Sequence, residues 1–224
     1  MKTIVFLTGA GMSAESGIRT FRDSNGLWEN HDIMEVASIE GWQKNPALVL
    51  DFYNQRRKQL ANVQPNKGHF LIQELEQKFI VKIITQNVDD LHERAGSSSI
   101  IHLHGELKKM RSEIKDTQIY DCTKDIKLGD KAQDGSQLRP YIVWFGEQVP
   151  MFEKAIDECL RADIFVIIGT SLQVYPAASL VDYVSKQAEI YLIDPNDFQN
   201  NYNRKITHIK KVASEGMEEL IKKI

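Results

Sequence analysis

A run of small residues, Gly9-Ala10-Gly11-Met12-Ser13, follows an apolar stretch that ends at Thr8. Glycines directly after a buried strand permit a tight turn and let the backbone approach a diphosphate, whose charge the next helix N-terminus would meet. Alone the pattern is weak. The third glycine of a GxGxxG loop is missing at its usual spacing, and a bare strand–helix turn also fits. Gln86-Asn87-Val88-Asp89 comes at the end of another apolar run. Asn plus Asp offer the donor and acceptor that a carboxamide needs, although an Asx turn capping a helix from Val88 uses the same residue types. His102 and His104 end a third run, IIHLH. Strand alternation puts both on one side, so spacing does not choose which one would take a proton near neutral pH. Gly169-Thr170-Ser171 closes a fourth run with hydroxyls suited to ribose or phosphate oxygens. Finally, Tyr53 and Arg56 lie three residues apart in a helical segment, about 5–6 Å apart at Cβ. A phenol beside a guanidinium makes a carboxylate receptor. A solvated Arg56-Arg57 face with Tyr53 in the core is the blander reading of the same residues.

The elements that must position these groups are short, β-branched apolar runs at 3–8, 80–85, 100–103, 164–168 and 190–193, which predict buried parallel strands. Helical segments at 46–63, 67–77, 88–95, 151–162 and 177–187 lie between them, with Pro46 suited to a first helical position. Such alternation predicts an α/β fold, a Rossmann-like doubly wound parallel sheet. Two stretches break it: a mostly helical one without strands at 29–66, and a polar one without apolar period at 106–140. We read them as insertions that together make a smaller lobe. The larger lobe then comprises 1–28, 67–105 and 141–224 of a single catalytic domain, with a cleft between the lobes. A long loop is the alternative for the polar stretch.

Composition narrows the class. A net charge of −3 gives no sign of nucleic-acid binding. No stretch reaches the roughly 20 apolar residues of a membrane span, and the run at 4–7 is too short for a signal peptide. Cys122 and Cys159 make no disulfide framework and no four-thiolate metal site. A cytoplasmic protein is expected; a monomer is compatible with the sequence, which fixes no oligomeric state.

The order of the motifs adds more. Residues 9–28 read GAGMSAESGIRTFRDSNGLW, closely resembling the sirtuin signature GAGxSxxSGIPxFR…GlW. TQNVD with LH at 85–92, HLHG at 102–105, LRP…VWFGE at 138–147 and GTSL at 169–172 follow in the family's order and spacing. The chain is identified as a member of the sirtuins, NAD-dependent protein-lysine deacylases that consume NAD as a co-substrate. The resemblance implies that His104 is the catalytic base, with His102 a packed or supporting residue. It implies cofactor contacts from Gly9, Ala10, Gly11, Ser13, Phe21, Arg22, Trp28, Gln86, Asn87, Asp89, Gly169, Thr170, Ser171, Asp194 and Ala213. Phe21 would shield the reactive ribose carbon from water, although core packing also fits it. Val143, Phe145, Gly146, Glu147 and Val174 would meet an extended acyl-lysine peptide by strand addition. The acyl oxygen would attack the nicotinamide-bearing ribose carbon, and His104 would deprotonate a ribose hydroxyl. Nicotinamide, O-acyl-ADP-ribose and free lysine result. Tyr53 and Arg56 match the YxxR motif of the class that removes succinyl and malonyl groups, and Ala37 matches its small pocket-widening residue; acetyl removal is expected beside these. ADP-ribosyl transfer to protein, NAD hydrolysis, or a non-catalytic NAD-binding module are the alternatives.

The chain departs from the family in places. Two CxxC pairs that hold a structural zinc are replaced by Ser112, Lys115, Lys131 and Asp134, so no zinc is expected and the small lobe must be held by its own packing, with Cys122, Tyr120 and Ile119 as candidates. Arg19 replaces the usual proline of the signature. Asp194 stands where asparagine is usual; its carboxylate suits ribose hydroxyls, and an N-cap ahead of Pro195 is the alternative.

Overall fold

The computed structural model describes residues 1–18, the backbone of 27–28, and 31–224. Its elements in chain order are β1 (Thr3–Thr8), α1 (Ala10–Ala14), β2 (Leu27–Trp28), β3 (His31–Asp32), α2 (Ile33–Val36), α3 (Ile39–Lys44), α4 (Pro46–Ala61), α5 (Lys67–Glu74), β4 (Ile80–Thr85), α6 (Leu91–Arg94), β5 (Ile100–His102), β6 (Gly105–Ser112), β7 (Ile119–Asp121), β8 (Leu138–Ile142), α7 (Phe152–Leu160), β9 (Ile164–Ile168), β10 (Glu189–Ile193), β11 (Thr207–Ile209) and α8 (Ala213–Ile221).

Six strands form one parallel sheet in the order β11-β10-β9-β1-β4-β5. Counted along the chain this is the doubly wound order, reversing direction between β1 and β9. The two-residue period of the strands feeds two cores. Val5, Leu7, Ile84, Phe165, Ile167, Ile190 and Leu192 face α7 and the 3-10 turn Ala177–Tyr183. Ile4, Phe6, Ile83, Val166, Ile168 and Ile193 face α5 and α8. Both faces are covered, which is why these strands read as continuous apolar runs rather than alternating ones.

A separate antiparallel sheet, β7-β6-β8, packs with α2, α3 and α4 around a third core that includes Trp42, Tyr53, Leu138 and Trp144. The polar stretch is therefore a sheet and not a loop. In β6 the consecutive lysines Lys108 and Lys109 interrupt any apolar alternation, and this hid the strand. Other expectations also shift. The helix expected from Val88 begins at Leu91, the segment at 177–187 holds a 3-10 turn, and β11 went unpredicted because Thr207-His208-Ile209 carries a single aliphatic residue. β3, at the start of the helical insertion, pairs antiparallel with β2 just before it. Cys122 is buried and Tyr120 packs against the third core as expected, but Ile119 is 41% exposed and does not belong to it. Among the described residues no helix is long and apolar enough to cross a membrane.

Three of the four positions where the resemblance would put zinc cysteines, Ser112, Lys115 and Asp134, share a hydrogen-bonded knot. Ser112, fully buried, donates to Asp134 Oδ2 at 2.6 Å and lies 2.9 Å from Ser136 Oγ. Its oxygen accepts the N–H groups of Ile114 (3.1 Å) and Lys115 (2.8 Å). A hydroxyl, a carboxylate and two ammonium groups do not fit a tetrahedral thiolate zinc. Hydrogen bonds from Ser112 and Ser136 instead hold the Asp134 carboxyl down at about 2. Ser112→Ala leaves two backbone donors without their acceptor and should cost about 1–3 kcal/mol in urea denaturation. The contribution of Asp134 should be present above pH 3.8 and fade as pH falls toward 2, read as melting temperature against pH.

Candidate active site

The strand order reverses between β1 and β9, and their carboxyl ends open a crevice there. The two loops that bound it touch. Gly9 N–H donates to Ile168 O and Gly11 N–H to Gly169 O, both at 2.9 Å. A Cβ on Gly11 would lie 2.6 Å from Gly169 Cα, and one on Gly9 2.7 Å from Thr170 Cβ. Gly169 has φ +61° and the same crowding from the other side. Contact between the loops is thus the first reason these positions are glycine. It also spends N–H groups that the sequence reading reserved for a diphosphate, since Met12 N–H bonds Gly9 O as well.

The loop after β4 completes the crevice. Gln86 Nε2 donates to Thr170 Oγ1 at 3.0 Å, and Asn87 Nδ2 donates to Gly9 O and to Ser13 Oγ, each at 3.0 Å. Ser13, itself buried, donates to Asp89 Oδ2 at 2.9 Å, while Asp89 Oδ1 accepts Leu91 N–H at 3.1 Å. The Asx-turn reading of Asp89 is therefore correct locally, yet one oxygen points to Ser13. Burial raises the Asp89 carboxyl against the lowering effect of these two donors.

His104 follows β5. Its Nδ1 lies 3.1 Å from Gln86 O, and a carbonyl accepts only, so Nδ1 carries the proton and Nε2 keeps its lone pair. Burial lowers the pKa of the ring, partly offset by the Gln86 bond, so it stays neutral. A neutral imidazole with Nε2 as its acceptor is the form a general base needs.

The remaining predicted residues fall around this centre. Ala10 opens α1, and Ser171 follows Thr170, ahead of a left-handed Leu172 (φ +54°), a conformation rare outside glycine. Asp194 directly follows β10, and its Oδ1 accepts both N–H and Nδ2 of Asn196 at 2.9 Å. Ala213 is buried at the start of α8. Phe21, Arg22 and the side chain of Trp28 lie outside the described residues.

Tyr53 and Arg56 are both buried on α4, which overturns the solvated-face reading of Arg56. Tyr53 Oη accepts Trp144 Nε1 at 3.1 Å, and burial pushes its hydroxyl far above the usual tyrosine range. Arg56 lies over the Phe52 ring and lines a cleft together with Val88, Asp89 and Leu107. Ala37 is buried and its carbonyl accepts Phe145 N–H at 2.9 Å. Val143 N–H donates to His104 O at 3.0 Å, while Phe145 and Val174 are exposed and Gly146 has φ +90°.

Sequence reasoning missed what Glu147 does. Its carboxylate accepts Arg139 twice (2.7 and 3.0 Å), Arg111 at 3.0 Å and Trp144 N–H at 2.8 Å. Burial would raise this carboxyl, but Arg139, Trp144 N–H and Arg111 hold it below the usual range. Arg139 also lies 3.3 Å from the Trp144 ring centroid, so the network fixes the indole that holds Tyr53. The signal was an arginine and a glutamate bracketing Trp144 in one short segment.

This fold and site define a dinucleotide-binding α/β protein with a neutral histidine beside its crevice. Residues 9–176 match the Sir2 family, and the chain belongs to it. An NAD-dependent protein deacylase of Bacteroides thetaiotaomicron is 58% identical over 228 residues, covering 98% of this chain and 97% of that protein. One of Helicobacter pylori (strain ATCC 700392 / 26695) is also 58% identical, covering 100% of this chain and 98% of that protein. A crystal structure of a Sir2 homolog–NAD complex superposes with a TM-score of 0.88 at 40% identity, over 99% of this chain and 89% of the other. A Sir2 protein with deacetylated p53 peptide and 3′-O-acetyl ADP-ribose gives 0.80 at 28% identity, over 99% and 93%.

Glu147→Ala would leave the Arg139 guanidinium buried without its partner, and should destabilise by about 3 kcal/mol in chemical denaturation.

Proposed function

We propose that this chain is an NAD-dependent protein-lysine deacylase that takes acidic acyl groups, succinyl and malonyl, in preference to acetyl. The observation that carries the reading is the placement of Arg56 and Tyr53. Both are buried side chains of α4, and Arg56 lines the same cleft as Asp89. A buried guanidinium beside an apolar wall favours an anionic acyl tail over a methyl. Gly9, Gly11, Gln86, Asn87, Asp89, Thr170 and Asp194 would hold the dinucleotide, with Asn87 and Asp89 on its carboxamide end. Bound NAD supplies a ribose carbon from which nicotinamide departs and an ADP-ribose that carries the acyl group away. His104 takes the proton of a ribose hydroxyl at Nε2, the nitrogen left open by the Gln86 bond. Phe145, exposed beside the turn at Gly146, together with Val143, Glu147 and Val174, would flank an acylated-lysine peptide. The two cores beside the parallel sheet and the third core around Trp144 act as two lobes enclosing this cleft, in a protein of the cytoplasm.

Purified protein incubated with NAD and succinyl-, malonyl- or acetyl-lysine peptides should release free lysine, fastest from the acidic acyl groups, as read by mass spectrometry. ADP-ribose attached to protein, or NAD loss without lysine release, would instead mark transfer or hydrolysis and refute the proposal. Arg56→Met should reduce succinyl removal by roughly 10–100-fold, the worth of a charge-assisted hydrogen bond, and acetyl removal far less; equal losses would refute the carboxylate receptor. Because burial lowers the His104 pKa, activity should persist through neutral pH and fall only below the ordinary histidine range.

A further inference from the structure

His102 lies two residues before His104, and both of its ring nitrogens face acceptors. Nδ1 stands 3.3 Å from the carbonyl oxygen of Asn87, and Nε2 stands 2.6 Å from Oε1 of Glu93 on α6. A neutral imidazole has one N–H and satisfies one of them; an imidazolium satisfies both. The geometry therefore favours a charged ring. Its surroundings agree. Burial disfavours the charge, but the Glu93 hydrogen bond and charge, followed by Glu106 and the Asn87 carbonyl, outweigh it and raise the ring above the ordinary histidine range.

Charged and titratable groups face this ring from every element around it. Glu93 and Glu106 bring ligand-type oxygens within 4.8 Å of the ring nitrogen and of each other. Glu106, on β6, is bound by Lys109 at 2.9 Å. Asp89, in the loop before α6, is raised by its burial, against which Leu91 N–H, Ser13 and then the His102 charge act. His92, on α6, is kept neutral by burial first and by the charges of His69 and His102 after it. His104 takes the preceding carbonyl, that of Gln86, with one nitrogen only. Two histidines two residues apart thus hold successive carbonyls of one loop, one as a neutral ring and one as a cation.

We propose that the Glu93–His102 pair is a positioning device for the nicotinamide end of the site: the imidazolium pins the Asn87 carbonyl, keeps its amide aimed at Gly9 and Ser13, and releases the loop when it loses its proton at alkaline pH. This rests on the reading of Asn87 and Asp89 as the carboxamide-binding pair. His102 touches no reacting atom, so its loss acts on NAD recognition more than on turnover.

The test follows KM for NAD and kcat across pH in the wild type, Glu93→Gln and His102→Gln, together with an NMR titration of the His102 ring in the free protein. Glu93 is exposed, so Glu93→Gln should fold as the wild type does. Its KM should begin to rise at lower pH than in the wild type, while the acid limb of kcat, set by His104, stays where it was. His102→Gln should raise KM about tenfold at neutral pH and remove its alkaline rise. The free ring should titrate above the ordinary histidine range and fall on Glu93→Gln. An unmoved KM profile in Glu93→Gln, or a ring that titrates at or below the ordinary range, would overturn the proposal. Absence of nicotinamide release by the wild type would sink the functional reading instead, and the free-protein titration would still decide the charge.

Discussion

The carbonyl oxygen of Gln86 accepts Nδ1–H of His104 across 3.1 Å, and this bond decides which nitrogen of the ring can receive a proton. It joins the chain just after β5 to the loop after β4, neighbours in the sheet. The carbonyl belongs to the same residue whose side-chain amide reaches Thr170, across the crevice from β9. The tautomer of His104 and the closure of the crevice are thus set by one residue, Gln86. If the loop after β4 moved, both would be lost together.

Around that bond the buried polar groups satisfy one another in a chain: Asn87 to Gly9 and Ser13, and Ser13 to Asp89. Such a network rigidifies a site when its members are paired and penalises it when one is removed. The same logic holds the other wall. Glu147 gathers Arg139, Arg111 and a backbone N–H, and through Trp144 it fixes the Tyr53 phenol. Where the family resemblance would place zinc, Ser112 and Asp134 bind each other. In all three places a directed hydrogen-bond set, more than apolar packing, determines where the side chains of the site point.

Much of this was legible in the chain. The apolar runs gave five of the six strands of the parallel sheet, because strands buried on both faces carry no alternation to obscure them. The glycines, Asn87, Asp89, His104 and Thr170 were read from motif order, and the structure brings them to one crevice. What failed had physical causes. β6 mixes charged and apolar residues without a clean alternation, and β11, Thr207-His208-Ile209, carries a single aliphatic residue. Glycine spacing also suggested a cradle for phosphate, whereas packing of one loop on the other already demands those glycines. Spacing could not separate His102 from His104. Only the number of acceptors around each ring does so.

Nitrogen-15 chemical shifts of the His104 ring in the free protein at neutral pH test the account most directly. The structure predicts a neutral ring protonated at Nδ1, with Nε2 showing the shift of an unprotonated nitrogen. A proton on Nε2, or an imidazolium at that pH, would contradict the assignment of this ring as the base.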